Sequence, residues 1–109
     1  MDNYVPLVTK NCVRKILLDE IVYIMKKKRN IIIVTDDEIY EYYGKLDEIS
    51  HILDRRFFAC RQGCIINLDK VLRVENQLIY VVNGEPVPVG RDNFIRTKQY
   101  YAAYLKKLL

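Results

Sequence analysis

Two cysteines four residues apart, Cys60 and Cys64, are the first residues of this sequence whose types and spacing suggest chemistry. Thiolates and imidazoles bind structural zinc, and the chain also contains Cys12 and a single histidine, His51. No second pair of ligands stands at zinc spacing, and Cys60 and Cys64 fall in apolar stretches typical of buried strands. We therefore expect reduced thiols that pack as small hydrophobic groups, with no metal or other cofactor. A redox switch of the two thiols is the alternative.

Four consecutive basic residues at 26–29 form the second group that could do chemistry, because clustered cations bind anions such as phosphate. The formal net charge is +4, from 18 basic and 14 acidic side chains. Residues 1–54 carry 8 basic and 10 acidic side chains, whereas residues 55–109 carry 10 and 4. This distribution favours a polyanion such as nucleic acid as the partner. A solvated entry to a hairpin would show the same basic run.

Enzymatic chemistry has little support in the sequence. It contains no Gly-x-Gly-x-x-Gly, Walker A or Gly-x-Ser-x-Gly motif. His51 fits the polar face of a helix better than a catalytic pair with cysteine, and the acidic group at 36–38 fits a hairpin turn better than a cation site. We therefore expect a protein that is not an enzyme.

Short strands must position these groups, because runs of strand-forming residues dominate the chain. The turn residues Asp36-Asp37 predict one hairpin, and Asn83-Gly84 predicts a second with a type I′ turn. Pro86 and Pro88 cannot donate to a ladder, so the last strand should lie at a sheet edge. The strands are predicted at 4–8, 12–16, 22–25, 30–35, 38–43, 57–60, 64–66, 71–75, 78–82 and 85–89.

Two segments depart from the strand pattern. Apolar residues at helical spacing predict a short amphipathic helix over 45–54. A second apolar face predicts a closing helix, with Asp92 or Asn93 as its cap and basic residues near its C-terminus. The expected fold class is mainly β, with small antiparallel sheets, one short helix between strands and a C-terminal helix.

The length of 109 residues fits one domain, and we expect residues 1–109 to form it. No apolar run reaches the ~18 residues that span a bilayer, so we expect no membrane association. The odd number of cysteines, three, indicates reduced thiols in a cytoplasmic location.

Two stretches of the sequence carry a family resemblance. The first is Asp19-Glu-Ile-Val-Tyr-Ile24, followed by a basic loop and a hairpin. The second is Arg56-Phe-Phe-Ala-Cys-Arg-Gln-Gly-Cys-Ile-Ile-Asn-Leu-Asp-Lys-Val71, followed by Asn83-Gly84 and Val87-Pro-Val-Gly-Arg91. Over residues 16–105, with every element in order, the chain resembles the LytTR domain. That domain is the DNA-binding output domain of bacterial response regulators of the LytR/AlgR type.

The resemblance implies a fold whose loops enter the major groove of double-stranded DNA. Carried over to this sequence, the base contacts are Lys28, Arg29, Arg61, Gln62 and Arg91. An arginine can bond O6 and N7 of one guanine, and a glutamine can bond N6 and N7 of one adenine. Two further residues of the basic loop, Lys26 and Lys27, are expected to contact phosphates, which position a protein without reading sequence.

The resemblance also implies a role in bacterial transcription regulation within two-component systems, where family members commonly bind repeated sites as dimers. We therefore expect double-stranded DNA with repeated sites as the partner and a homodimer on DNA. A receiver domain with a phosphorylatable aspartate has no room before Tyr4. This leads us to expect either a stand-alone regulator or an excised domain, with an upstream regulatory partner still to be assigned.

Two other functions are compatible with the sequence. Ala59 and residues 61–63 stand where the family has other residue types, which favours a LytTR-like module that has lost base readout and binds proteins instead. Its edge strand and tyrosine-rich surface would then be the contact regions. An RNA-binding β domain would need exposed aromatic platforms. The discriminating feature is whether the basic candidates of the three loops converge on one face.

Overall fold

The computed structural model describes residues 3–109, in which strands dominate. The strands are β1 (Tyr4–Val8), β2 (Val13–Leu17), β3 (Ile21–Lys27), β4 (Asn30–Thr35), β5 (Ile39–Tyr43), β6 (Phe57–Arg61), β7 (Cys64–Asn67), β8 (Val71–Glu75), β9 (Leu78–Val81) and β10 (Val87–Pro88). The helices are α1 (Asp47–Ser50) and α2 (Arg91–Lys106). Within these residues, no helix has the length and apolar character needed to cross a membrane. The predicted fold class is confirmed.

A five-stranded antiparallel sheet in the order β5-β4-β3-β7-β6 forms the middle of the protein. Its strands β3 and β4 are nearly continuous apolar runs because both faces of the sheet are covered. The hairpin predicted across Asp36-Asp37 is confirmed, since Asn30 pairs with Tyr43 and Val34 pairs with Ile39.

The two faces of this sheet are buried in two hydrophobic clusters. One cluster includes Ile16 and Ile49, so the two-stranded sheet β1-β2 and α1 cover one face. The other includes Ile79 and Tyr101, so the three-stranded sheet β10-β9-β8 and α2 cover the opposite face. The prediction that the last strand lies at a sheet edge is confirmed, because β10 pairs only with β9 in this part of the structure.

The first helix is shorter than predicted. The spacing of apolar residues predicts a helix over residues 45–54, whereas α1 covers only Asp47–Ser50. The N–H groups of residues 52 and 53 donate to carbonyls three residues back, so the helix tightens into a final turn. Asp54 then accepts hydrogen bonds from the backbone N–H and the side chain of Arg56, which directs the chain into β6.

The prediction of a type I′ turn at Asn83-Gly84 is wrong. Residues 82–86 form a longer loop between β9 and β10, and only Gly84 of the two has a positive φ, of 152°. The N–H of Val82 donates to the carbonyl of Lys70, which keeps the chain beside β8. The loop also contains a proline, which has no N–H with which to extend the ladder toward a tight turn.

Helix α2 begins earlier than predicted. The sequence predicts a cap at Asp92 or Asn93, but the helix begins at Arg91 and Gly90 occupies the N-cap position. The chain stays extended up to Gly90, whose φ of −68° and ψ of 169° are typical of an N-cap. No side chain of the described residues caps the helix. Arg91 therefore lies in the first turn of α2.

Candidate nucleic-acid interface

Two turns that carry predicted base contacts project side by side from one end of the five-stranded sheet. One is the β3–β4 turn at residues 28–29, and the other is the β6–β7 turn at residues 62–63. Strands β3 and β7 are antiparallel neighbours. Their ladder reaches the turns, because the N–H of Lys26 donates to the carbonyl of Gly63 over 2.8 Å. The first two predicted loops are thus brought together.

The backbone makes both turns short. Lys28 has a φ of 57°, in the left-handed region, between two paired strands. Arg61 pairs with Cys64 across the second turn, where Gly63 has a φ of 76°. Glycine adopts this conformation without the steric cost that a Cβ atom would add. Short turns on paired strands hold their side chains close to a rigid sheet.

Helix α2 runs alongside β6 in the opposite direction, which brings Arg91 toward the same end. Arg96 donates to the carbonyl of Ala59 over 2.7 Å, and Tyr100 stacks on Phe58 with ring centroids 4.4 Å apart. The later residue of the helix, Tyr100, thus lies beside the earlier residue of the strand, Phe58, so α2 and β6 run in opposite directions. The start of α2 lies at the end of the sheet that carries the β6–β7 turn.

A further turn, which was not predicted to take part in the site, supports the segment leading into Arg91. Asn76 and Gln77 join β8 to β9, and their φ values of 56° and 58° are positive, as a type I′ turn requires. The side-chain amide of Gln77 donates to the carbonyl of Val89 over 3.3 Å, and the N–H of Val89 donates to the carbonyl of Gln77 over 3.1 Å. The signal that could have identified this turn is a two-residue gap with asparagine between two predicted strands.

The candidate cations are available for a partner. Lys26, Lys27, Lys28, Arg29, Gln62 and Arg91 are exposed, and Arg61 is half-buried. None of the six basic residues in this set forms an ion pair with a carboxylate of residues 3–109. Elsewhere Arg14, Arg56, Lys70 and Arg73 all do. Arg61 is therefore not ion-paired within the described residues.

Arg61 is the most constrained of these side chains. Its Nε is buried and has no hydrogen-bond partner within residues 3–109. The register of β6 on β7 shifts between Ala59 and Arg61, which marks a β-bulge at this point. Bulges redirect side chains at sheet edges. A half-buried arginine on such a bulge has few orientations, which suits a directional hydrogen-bond donor.

The basic loop divides between the two faces of the sheet. Side chains alternate along a strand, so Lys26 and Lys27 point to opposite faces. Lys26 and residues 28–29 border one small pocket together with Tyr43 and Lys45. Neither Tyr43 nor Lys45 was predicted to belong to the site. The hairpin register could have identified them, because it returns the end of β5 to the β3–β4 turn.

Cys60 and Cys64 lie in β6 and β7, next to the β6–β7 turn. Both are fully buried, which confirms that they pack as small hydrophobic groups. The Cys60 thiol donates to the carbonyl of Cys64. A hydrogen bond with Cys60, together with burial, raises the pKa of the Cys64 thiol, which keeps it neutral. In the part of the chain that the structure describes, no three His, Cys, Asp or Glu side chains are grouped to hold a metal ion.

Acidic side chains gather at the opposite end of the sheet. Asp36 and Asp37 occupy the β4–β5 turn. The Asp36 carboxylate accepts a hydrogen bond of 2.9 Å from Lys70, and its N–H donates to the carbonyl of Glu20, just before β3 begins. We call this region the acidic end. The end that carries residues 26–29, residues 61–63 and Arg91 is the basic end.

Comparison with known proteins identifies this arrangement. Two basic turns project from one end of the five-stranded sheet, and the start of α2, with Arg91, lies toward the same end. Residues 11–102 match the family described as the LytTr DNA-binding domain, and the chain belongs to that family. The resemblance predicted from the sequence is thereby confirmed.

Two relatives illustrate the match. The LytTr DNA-binding domain of a methyl-accepting/DNA response regulator from Bacillus cereus superposes with a TM-score of 0.69 at 22% identity, over 99% of this chain and 97% of that one. Accessory gene regulator protein A of Staphylococcus epidermidis is 33% identical over 61 residues, which are 54% of this chain and 25% of the relative, in each of two strains. The first likeness shows the fold, and the second spans about a quarter of the relative's length.

Family membership assigns the chain to a DNA-binding domain family. The turns at the basic end present cations that are exposed and have no ion pair among the described residues.

Proposed function

We propose that this protein reads the sequence of double-stranded DNA by inserting the turns of its basic end into the major groove. The major groove is about 12 Å wide and admits a two-stranded β-ribbon. The β3–β4 and β6–β7 turns are ribbons of this kind, on adjacent strands. The observation that carries the proposal is that two turns and the start of α2 present, at one end of the five-stranded sheet, cations that form no ion pair within residues 3–109.

The side chains divide by role. Lys28, Arg29, Arg61, Gln62 and Arg91 contact base edges. Arginine gives the most selective of these contacts, because its two parallel N–H groups match O6 and N7 of one guanine, whereas a lysine is a point charge. Lys26 and Lys27 contact phosphates and set the position of the protein on the duplex. Lys45 and Tyr43, which border the same pocket as Lys26, extend the phosphate-contacting surface.

The proposed partner is a duplex with repeated sites that binds two copies of the protein. Two copies on one face of B-DNA require sites whose centres are about 10–10.5 base pairs apart, or a multiple of that spacing. Access to DNA in a bacterium places the protein in the cytoplasm. We propose no catalytic activity. The candidate residues are lysines, arginines and a glutamine, which suit contacts to DNA better than the roles of a general acid, a general base or a nucleophile.

Selection from a randomised duplex library at near-physiological salt tests this proposal. We expect the wild-type protein to enrich a repeated motif. Arg61→Ala should lose about tenfold in affinity for that motif, which is within the range of one bidentate base contact, and should keep its affinity for random duplex. Lys106→Ala is the matched control, because it removes one exposed cation at the far end of α2.

Each result has a separate meaning. Equal losses of Arg61→Ala on motif and random duplex would refute base readout by Arg61. A bound fraction without a motif would leave only phosphate-driven binding. Absence of binding would favour the alternative of a LytTR-like module that binds proteins.

A further inference from the structure

Arg96 joins helix α2 to the strand that leads into the β6–β7 turn. One terminal nitrogen of its guanidinium donates to the carbonyl of Ala59 over 2.7 Å and to Oδ1 of Asn93 over 3.2 Å. The guanidinium also lies 4.7 Å from the centroid of the Phe58 ring, a cation–π distance. Its contacts therefore reach β6 and the first turns of α2 together.

The Ala59 carbonyl that accepts this bond belongs to β6, the outer strand of its sheet. Carbonyls of an edge strand that point away from the neighbouring strand have no ladder partner. Ala59 also comes directly before the register shift that ends at Arg61. A bulge locally interrupts the ladder, so the strand here is less constrained by pairing than the rest of the sheet. Arg96 thus binds β6 at the point where the chain leaves regular pairing.

Stacking holds Arg96 in this place. The Phe58 ring contacts both the Arg96 guanidinium and the Tyr100 ring, whose centroid lies 4.4 Å away at an interplanar angle of 22°. Tyr100 is four residues after Arg96, so both side chains lie on one face of α2. Helix and strand are thus fastened at two successive turns of the helix, and the position of α2 along β6 is fixed.

We infer that Arg96 is a positioning residue for DNA recognition, which sets the relative placement of Arg61 and Arg91. This inference rests on the proposed function. Arg91 is five residues before Arg96 on α2, and Arg61 is two residues after Ala59 on β6. The Arg96–Ala59 hydrogen bond is the shortest described connection between the two segments. Two arginines that read neighbouring bases need a fixed separation, because bidentate contacts tolerate little displacement.

An alternative role for Arg96 is a phosphate contact, since its side chain is exposed. The two roles predict different results. A phosphate contact adds the same free energy on every duplex, whereas a positioning residue acts only where bases are read. The test therefore compares affinities for the selected motif and for a scrambled duplex of the same length, with Arg96→Ala and Arg96→Lys.

If Arg96 is a positioning residue, Arg96→Ala should lower the ratio of the affinity for the motif to the affinity for the scrambled duplex by about tenfold, a change of about 1.4 kcal/mol. Arg96→Lys keeps the positive charge but should also lower the ratio, because a lysine cannot reproduce the planar contact with Phe58; both variants should bind the scrambled duplex as the wild-type protein does. Lys98→Ala is the matched control. It removes an exposed cation of the same helix whose described contact is with Phe94, and it should leave the ratio unchanged.

A double-mutant cycle separates positioning from an independent contact. If Arg96 acts through Arg61, Arg96→Ala should reduce the ratio much less in a protein that already carries Arg61→Ala. Additive losses in the cycle, or equal losses of Arg96→Ala on both duplexes, would overturn the inference while leaving base readout intact. Failure of the wild-type protein to prefer any motif would overturn both the proposed function and this inference.

Amide hydrogen exchange without DNA gives a second readout. Arg96→Ala should speed exchange at residues 61–63 relative to the β4–β5 turn, because the strand loses its anchor before the bulge. Unchanged exchange at 61–63 would contradict the positioning role. Uniformly faster exchange would indicate only global destabilisation and would also count against it.

Discussion

The side-chain amide of Asn67 donates a hydrogen bond of 2.8 Å to the backbone carbonyl of Ile21. Asn67 is fully buried, and its Oδ1 also accepts a bond of 2.9 Å from the N–H of Asp69. Ile21 begins β3 just before its ladder with β7 starts at Tyr23. The asparagine thus replaces a ladder bond at the join of two strands whose other ends carry the basic turns.

We predict that Asn67→Ala lowers the free energy of unfolding by about 1–3 kcal/mol, because it leaves a carbonyl and an N–H without partners in the interior. Urea denaturation measures the change. Asn83→Ala, in an exposed loop, is the control and should change stability by less than about 0.5 kcal/mol. Similar midpoints for the two variants would contradict the role given to Asn67.

The sequence predicted the strands better than their connections. Alternating and continuous apolar runs located each strand to within a few residues, because burial on a sheet face dictates both patterns. The prediction of a tight turn at Asn83-Gly84 was wrong because of a long-range contact. The N–H of Val82 donates to the carbonyl of Lys70, a contact that local turn propensities do not include. A tight turn formed instead at Asn76-Gln77.

The candidate site was predicted less completely than the fold. The family resemblance supplied seven residues, and the structure places the turns that carry them at one end. Arg96 and Gln77 were missed because their roles depend on which carbonyl lies opposite, a property of tertiary packing rather than of spacing. Lys45 was missed because it follows β5, far in sequence from the basic loop that it faces.

Gly63 is predicted to be the least replaceable glycine of the basic end. Gly63→Ala should cost about 1–2 kcal/mol, because its φ of 76° lies in the left-handed region. The added Cβ would meet only Lys26 Cβ at 3.6 Å, an ordinary contact, so the cost comes from the backbone. Thermal unfolding measures it.

Gly90 provides the contrasting variant. It has an ordinary φ, its Cα faces open space in which a Cβ would meet no atom within 4 Å, and it occupies the N-cap of α2. Gly90→Ser should raise stability by a few tenths of a kcal/mol, since a serine hydroxyl can accept from the uncapped N–H groups. Equal changes in stability in Gly63→Ala and Gly90→Ser would contradict a cost that arises from the positive φ of Gly63.

The phosphate role of Lys26 predicts a change in salt dependence. For a duplex-binding protein, each phosphate contact contributes about −0.9 to the slope of log K against log salt concentration. Lys26→Ala should therefore reduce the slope by about one unit on the motif and on random duplex alike. Titrations at several salt concentrations measure it, with Lys106→Ala as the control that should leave the slope unchanged.

Tyr104 predicts an alkaline limit to stability. Burial, followed by its hydrogen bond to the Asp69 carboxylate, raises the pKa of Tyr104 to about 12 from an ordinary value of 10.0. Because the folded pKa is raised, the contribution to stability is full below pH 10 and is lost as pH rises toward 12. The unfolded chain loses this proton first.

Tyr104→Phe should therefore flatten the decline in stability between pH 10 and 12, measured by urea denaturation across that range. Some decline should persist, because burial and a hydrogen bond with Glu38 also raise the pKa of Tyr40 to about 12. An unaltered decline in the variant would show that Tyr104 does not contribute.

The separation of the basic end from the acidic end has a consequence for how the protein meets DNA. The exposed cations of the basic end, none of which is ion-paired within residues 3–109, make the field there more positive than the field around the β4–β5 turn. A polyanion is therefore attracted more strongly to the basic turns, which favours an approach with these turns forward. The acidic β4–β5 turn, which touches no part of the proposed interface, would thus favour fast and correctly oriented encounters.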